Sequence, residues 1–76
     1  MAKFFRVYPK GSPKESRYYS GYERKVALDR AYADMGRDRE LVIRQINFPP
    51  EDQMVYDAGL SFEERFRLFR RNKDLA

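Results

Sequence analysis

The sequence contains no cysteine and no histidine, and these two absences exclude much of the usual chemistry of protein sites. Zinc and most transition-metal sites use thiolate or imidazole ligands, so we expect no such metal site. The chain also lacks a nucleophilic thiol and the usual general base near neutral pH. We therefore predict a non-enzymatic protein with no catalytic residues, no metal and no cofactor.

Long hydrophobic runs are missing as well. The apolar stretch within residues 1–8 is too short for a signal peptide, and no segment approaches the length of a membrane span. We predict a protein of the cytoplasm or an organelle interior that is not secreted and has no membrane span. A chain of 76 residues has room for one core, which predicts a single domain over residues 1–76.

The charge is unevenly distributed along the chain, although the formal net charge is only +4. Residues 1–25 carry seven lysines or arginines against two acids, and residues 61–76 carry five against three. Residues 26–60 carry seven acids against four arginines. The two ends are therefore basic and the middle is acidic.

Aromatic residues are abundant, with six phenylalanines and six tyrosines, and they suit a small core because each ring buries a large area. Residues 4–8 favour a strand that ends at Pro9 and a turn-prone segment. Residues 16–22 predict a second strand that pairs back on the first. An extended loop is the alternative there, because Gly21 weakens the end of the strand.

A helical spacing of apolar residues begins at Glu23 and continues to Met35, where Gly36 is placed to end a helix. Residues 41–48 predict a strand with two partly apolar faces, ended by Pro49 and Pro50. Residues 51–59 predict a loop, with one helical turn over residues 52–56 as the alternative.

The clearest local signal is Ser61 followed by Glu64, a capping-box spacing that predicts a helix from Phe62 to about Asp74. Together these elements predict an α+β fold. It would consist of a small antiparallel sheet of two or three strands with two helices, in the order β-(β)-α-β-α.

The C-terminal helix carries apolar residues on two sides. On a helical wheel, Phe62, Phe66 and Phe69 cluster and are predicted to face the core. Leu68 and Leu75 lie about 125 to 145° away, so they are predicted to form a second contact surface for a partner or dimer mate. The alternative is that they are ordinary exposed leucines.

The same helix is strongly basic, with Arg65, Arg67, Arg70, Arg71 and Lys73. These residues are predicted to contact an acidic protein surface or a phosphate backbone. The alternative is that they serve solubility and that the last three match the helix dipole.

Residues 17–25 interleave basic residues with tyrosines, as single-strand nucleic-acid platforms do. Strand alternation points Tyr18 and Tyr19 to opposite faces, so one of them, but not both, would be available for stacking. The predicted contact residues in this segment are Arg17, Tyr19, Arg24 and Lys25.

Two further patterns predict structure rather than chemistry. Residues 10–14 place a glycine between lysines without the spacing of a phosphate-binding loop, which predicts a turn. The seven carboxylates between residues 29 and 57 are interleaved with arginines. We therefore predict surface ion pairs there rather than paired acid–base groups or a magnesium site.

The leading functional hypothesis is a small accessory or regulatory protein that docks on a larger protein or protein complex with an acidic surface. The alternative is a sequence-nonspecific RNA or DNA binding protein, against which the twelve acidic residues count. The predicted contact residues are Arg65, Arg67, Leu68, Arg70, Arg71 and Leu75 in the helix and Arg17, Tyr19, Arg24 and Lys25 in the N-terminal segment.

Overall fold

The computed structural model describes residues 2–75, with the side chains of residues 2–61 and 63–70. The strands in this part of the chain are β1 (Lys3–Pro9), β2 (Arg17–Gly21), β3 (Leu41–Ile46) and β4 (Val55–Ala58). The helices are α1 (Arg24–Met35) and α2 (Phe62–Leu75), and a short 3-10 turn (Pro13–Glu15) connects β1 to β2.

The four strands form one mixed sheet in the order β3-β1-β2-β4. β1 pairs antiparallel with both β2 and β3, whereas β4 runs parallel to β2. The α+β class and the two helices are confirmed. The prediction of a purely antiparallel sheet with two or three strands is wrong.

Strand β4 lies where the sequence predicted a loop or a helical turn. Residues 55–57 pair with residues 18–20 of β2, so tertiary pairing rather than local pattern determines this strand. At its end, Gly21 lies so close to Ala58 that a Cβ on the glycine would be 2.7 Å from the Ala58 carbonyl oxygen. Glycine therefore permits the two strands to approach each other.

One core lies between the sheet and α1. Phe5 and Val7 of β1 point to this face and are buried against Ala27 and Ala31 of the helix. Small alanines on the buried side let the helix lie close to the sheet.

Helix α1 ends at the predicted residue. Gly36 has a φ of 98°, in the region that favours glycine, and its N–H donates a 3.0 Å hydrogen bond to the Tyr32 carbonyl. The predicted glycine stop is thereby confirmed.

A second core lies on the other face of the sheet, under α2, so the prediction of one core is wrong. Phe4 of β1 packs there with Leu60 and Leu68. The rings of Phe4, Phe48 and Phe69 form a cluster with centroid separations of 4.8 to 5.7 Å and edge-to-face geometry.

The start of α2 has the predicted capping box. The Ser61 N–H donates to Glu64 Oε1 and the Glu64 N–H donates to Ser61 Oγ, each at 3.2 Å. The predicted beginning of this helix is confirmed.

The orientation of α2 differs from the prediction. Leu68 is only 2% exposed, whereas Phe66 is 59% exposed, so the predicted outward Leu68 and inward Phe66 are both wrong. Phe69 packs in the second core, as predicted. The side chains of Phe62 and Leu75 lie outside the described residues.

Arg65 explains the different orientation. It lies three residues before Leu68 and four before Phe69, in the middle of the buried side of the helix. Its Nη2 donates a 2.6 Å hydrogen bond to the Val55 carbonyl of β4. A helical-wheel prediction that places every arginine in solvent excludes this side of α2 from the core. It therefore selects the side that carries the phenylalanines as the buried side.

Candidate functional site

An apolar groove lies beside α2 at the margin of the second core. Phe48, Phe66, Phe69 and Arg70 line a volume of about 430 Å³, which we call the docking groove. The rings of Phe48 and Phe69 lie 5.6 Å apart and nearly perpendicular, and they form an ordered wall. Phe66 adds an exposed ring, so the aromatic surface is contiguous rather than scattered.

The docking groove continues past the end of β3. A neighbouring depression of about 380 Å³ shares Phe48 and Phe69 with it and extends along Pro49 and Pro50 to the acidic residue Glu51. The two depressions together form an elongated surface. Such a shape suits a peptide segment better than a small molecule, which is normally enclosed.

A basic side chain borders the groove on α2. Arg70 is exposed at its rim. Arg67 is also exposed, but it lines a separate depression beside Leu68 on another side of the helix, and it lies 4.0 Å from Glu63 in an ion pair of the i, i+4 type. Arg65 is different, because it is turned toward β4 and its Nε is buried without a hydrogen-bond partner among the described residues. The predicted contact role of Arg65 is therefore replaced by a structural one.

The predicted tyrosine platform is not formed. Tyr19 is fully buried and Tyr18 is 9% exposed, so the prediction that one of them is available is wrong. Strand β2 lies inside the sheet with both faces covered, and the Tyr19 hydroxyl donates a 3.0 Å hydrogen bond to Asp34 Oδ2. Burial, and next the hydrogen bond with Asp34, raise the pKa of Tyr19 well above its ordinary value.

The other predicted contact residues do not form one surface. The Arg17 guanidinium lies over the ring of Tyr56, 5.4 Å from its centroid. Arg24 and Lys25 are exposed at the start of α1, on the face of the sheet opposite α2. The side chains of the remaining two predicted residues lie outside the described residues; they are Arg71 and Leu75.

The structure instead brings together Arg6 and Arg44, which the sequence analysis did not single out. They are directly opposite each other in the β1–β3 pair. The Arg6 guanidinium lies 4.8 Å above the Tyr8 ring, and Arg44 Nε donates a 3.3 Å hydrogen bond to the Tyr8 hydroxyl. That hydrogen bond raises the pKa of Arg44. No local signal could identify this pair, because its two members are 38 positions apart in the sequence and meet in a register that only the fold defines.

Of the seven carboxylates between residues 29 and 57, for which surface ion pairs were predicted, Asp34 and Glu40 form such pairs among the described residues. A hydrogen bond from Arg39 lowers the pKa of Glu15. Among the described residues, no three potential metal-ligating side chains converge. The ion pairs are Arg39–Glu15 at 3.1 Å, Arg30–Asp34 at 3.7 Å and Lys10–Glu40 at 3.4 Å.

Comparison of the chain with protein-family models, curated proteins and solved structures found no match. Within the part of the chain that the structure describes, neither helix combines the length and the apolar character needed to cross a bilayer. The choice of function therefore depends on the geometry of the docking groove and of the surface around Arg6 and Arg44.

Proposed function

We propose that the protein is a non-enzymatic docking protein that binds an acidic segment of a larger protein in the docking groove. The observation that supports this most strongly is the 59% exposure of Phe66 beside the packed rings of Phe48 and Phe69. A contiguous exposed aromatic surface costs solubility, and it is typical of a site that a partner covers.

The composition of the groove matches that of the central part of protein interfaces. Interfaces are enriched in aromatic residues and arginine, and a few such side chains carry most of the binding free energy. Burial of a phenylalanine side chain contributes about 1.5 to 3 kcal/mol. Phe66 has more than half of its surface available for such burial.

The charge beside the groove favours an acidic partner. Arg70 is exposed at the rim of the groove, and residues 61–76 carry an excess of basic residues. Opposite charge on the partner would speed association and fix its orientation. We infer an occupant whose apolar side chains enter the groove while a carboxylate meets Arg70.

This proposal keeps the hypothesis of a docking protein but moves its surface. Leu68 supports the core and is not offered as a contact residue. The burial of Tyr18 and Tyr19 removes the support that these tyrosines gave to the nucleic-acid alternative.

Affinity capture from the native host with two matched variants tests the proposal. Phe66→Ala removes the exposed ring of the groove, and Met54→Ala removes a 70% exposed side chain that does not line it. Loss of an anchor ring should weaken binding about 30-fold, which corresponds to about 2 kcal/mol. We expect one protein to be recovered with the wild type and with Met54→Ala and to be lost with Phe66→Ala.

The folding of both variants is checked by circular dichroism and thermal unfolding before capture. The proposal fails if a folded Phe66→Ala protein retains the same partner at the wild-type level. It fails equally if both variants lose the partner to the same extent.

A further inference from the structure

The cross-strand pair of Arg6 and Arg44 places two positive charges directly opposite each other. Like charges in this position destabilise a sheet. Neither guanidinium has a carboxylate within 4.0 Å among the described side chains. The sheet therefore holds a positive pair that no described group of the protein neutralises.

The two guanidinium groups are held in position. Arg6 Nε donates a 2.9 Å hydrogen bond to Ser16 Oγ, and Arg6 Nη2 donates one of 3.2 Å to the Pro13 carbonyl. Ser16 Oγ in turn donates to the same carbonyl, and Tyr8 contacts both arginines. Side chains that are ordered before binding lose less conformational entropy when a ligand arrives.

Terminal donors remain for a ligand. Among the described contacts, Arg6 Nη1 and both terminal nitrogens of Arg44 make no hydrogen bond. The planar fork of a guanidinium matches the spacing of phosphate oxygens, and charge-assisted hydrogen bonds of this kind are the strong ones. An oxyanion between the two arginines would satisfy these donors and relieve their mutual repulsion.

The strands nearest the pair carry no acid on its face of the sheet, and Asp57, which shares this face, lies on β4, separated from β1 by β2. Arg44 is exposed on β3, an edge strand, and α2 covers the neighbouring Phe4 rather than the pair itself. The positions of β1, β2 and β3 that share this face carry no aspartate or glutamate. They are Phe4, Arg6, Tyr8, Tyr18, Ser20, Val42, Arg44 and Ile46.

A third cation favours a ligand with repeated phosphates over a single phosphate group. Lys14 belongs to the 3-10 turn that Arg6 contacts, and it is exposed with no ion pair among the described residues. The three cations thus belong to the edge strand, the next strand and the turn, and Glu15, the acid of that turn, is paired with Arg39. Tyr8 adds a half-buried aromatic ring on the same face, with the Arg6 guanidinium over one side of it. Cations beside an aromatic ring are typical of sites for single-stranded nucleic acids.

From these contacts we infer that Arg44, Arg6 and Lys14 form a binding site for the phosphate backbone of single-stranded nucleic acid. This site is distinct from the docking groove, since no residue lines both. It does not depend on the proposed protein partner.

Fluorescence anisotropy with a labelled, mixed-sequence single-stranded oligonucleotide tests the inference over a series of salt concentrations. Arg44→Gln should weaken binding about tenfold at low salt, because it removes a charged phosphate contact. It should also reduce the slope of log affinity against log salt concentration by about 0.7. The control Arg37→Gln makes the same change in net charge at an exposed residue outside this face and should leave affinity and slope near the wild type.

Competition experiments separate the sources of phosphate. The unlabelled single strand should displace the probe more effectively than a duplex of the same sequence or a phosphoserine peptide, each at matched phosphate concentration. Inorganic phosphate should compete only weakly. A phosphopeptide that competes as well as the single strand would overturn the assignment in favour of a phosphoprotein site.

Two further results would overturn the inference outright. One is the absence of measurable binding by the wild type at low salt. The other is an equal loss of affinity in Arg44→Gln and Arg37→Gln, which would mean that only net charge matters. Phe66→Ala should bind the oligonucleotide as the wild type does, so failure of the docking proposal and failure of this inference are distinguishable.

Discussion

Tyr19 is a buried residue with a polar, ionisable hydroxyl group. It lies inside the sheet without exposure, and its hydroxyl donates to Asp34 at the end of α1. Because burial raises the pKa of Tyr19, the folded protein favours the neutral phenol more strongly than the unfolded chain does. The stabilisation from Tyr19 is therefore complete below its ordinary pKa of about 10 and is lost as the pH rises above that value.

Tyr19→Phe tests this account. Loss of the hydrogen bond should lower the free energy of unfolding by about 1 kcal/mol at pH 7. The decline of stability above about pH 10 should be shallower in Tyr19→Phe than in the wild type, because the variant has no buried phenol to ionise. Urea unfolding at neutral and alkaline pH measures both effects, and parallel declines in the two proteins would contradict the account.

Replacement of Arg44 is predicted to increase the stability of the protein, whereas replacement of Tyr19 is predicted to decrease it. If its charge opposite Arg6 is uncompensated, Arg44→Gln should raise the thermal midpoint slightly at low ionic strength. The gain should disappear in high salt, where the repulsion is screened. Thermal unfolding at two salt concentrations checks this, with Arg37→Gln as the control, and a loss of stability in Arg44→Gln would mean that the pair stabilises the sheet.

At the scale of elements, the position of Arg65 determines which side of α2 faces the sheet, and the pattern of apolar residues alone predicted a different side. Arg65 occupies the middle of the buried side and binds the Val55 carbonyl, so Leu68 and Phe69 face the sheet on either side of it. Arginine combines a long apolar stem with a polar end, which allows it to lie at such a position. A helical wheel does not show that an arginine can lie on the buried side of a helix in this way.

Unfolding measurements on two single variants test the orientation of α2. Leu68→Ala should lower the free energy of unfolding by about 2 to 5 kcal/mol, as expected for a buried leucine. Phe66→Ala removes a larger but exposed side chain and should change it by less than about 0.5 kcal/mol. Chemical denaturation compares them directly, and a larger loss in Phe66→Ala would restore the predicted phenylalanine stripe.

The elements that the sequence predicts well are those with local signals. Residues 4–8 and 41–48 have strand-favouring composition, Gly36 ends α1, and Ser61 with Glu64 begins α2. Strand β4 has only four residues, and its parallel partner lies more than 30 positions away. Its existence depends on contacts that no local window contains.

At the scale of the whole molecule, the two helices cover the sheet differently. α1 packs on one face, whereas α2 leaves the docking groove at its side and the arginine pair beyond it. The charge pattern along the chain predicted basic ends, yet Arg44 belongs to the acidic middle segment. The register of β3 with β1 brings it to Arg6, so the basic surface arises from folding and not from segment composition.

The separation of the two surfaces predicts independent functions. A protein segment in the docking groove would contact the side of α2, while a nucleic acid at the arginine pair would contact β1, β3 and the 3-10 turn. A protein with both sites would bring a partner and a nucleic acid together.

The central claim, that a protein partner covers the docking groove, is tested most directly by photo-crosslinking in the native host. A photoreactive phenylalanine analogue at position 66 keeps an aromatic ring in the groove, and the same analogue at position 54 probes an exposed site outside it. After nuclease treatment, we predict a single major protein adduct from position 66 and none of that adduct from position 54. Equal adducts from both positions, or none from position 66, would contradict the claim.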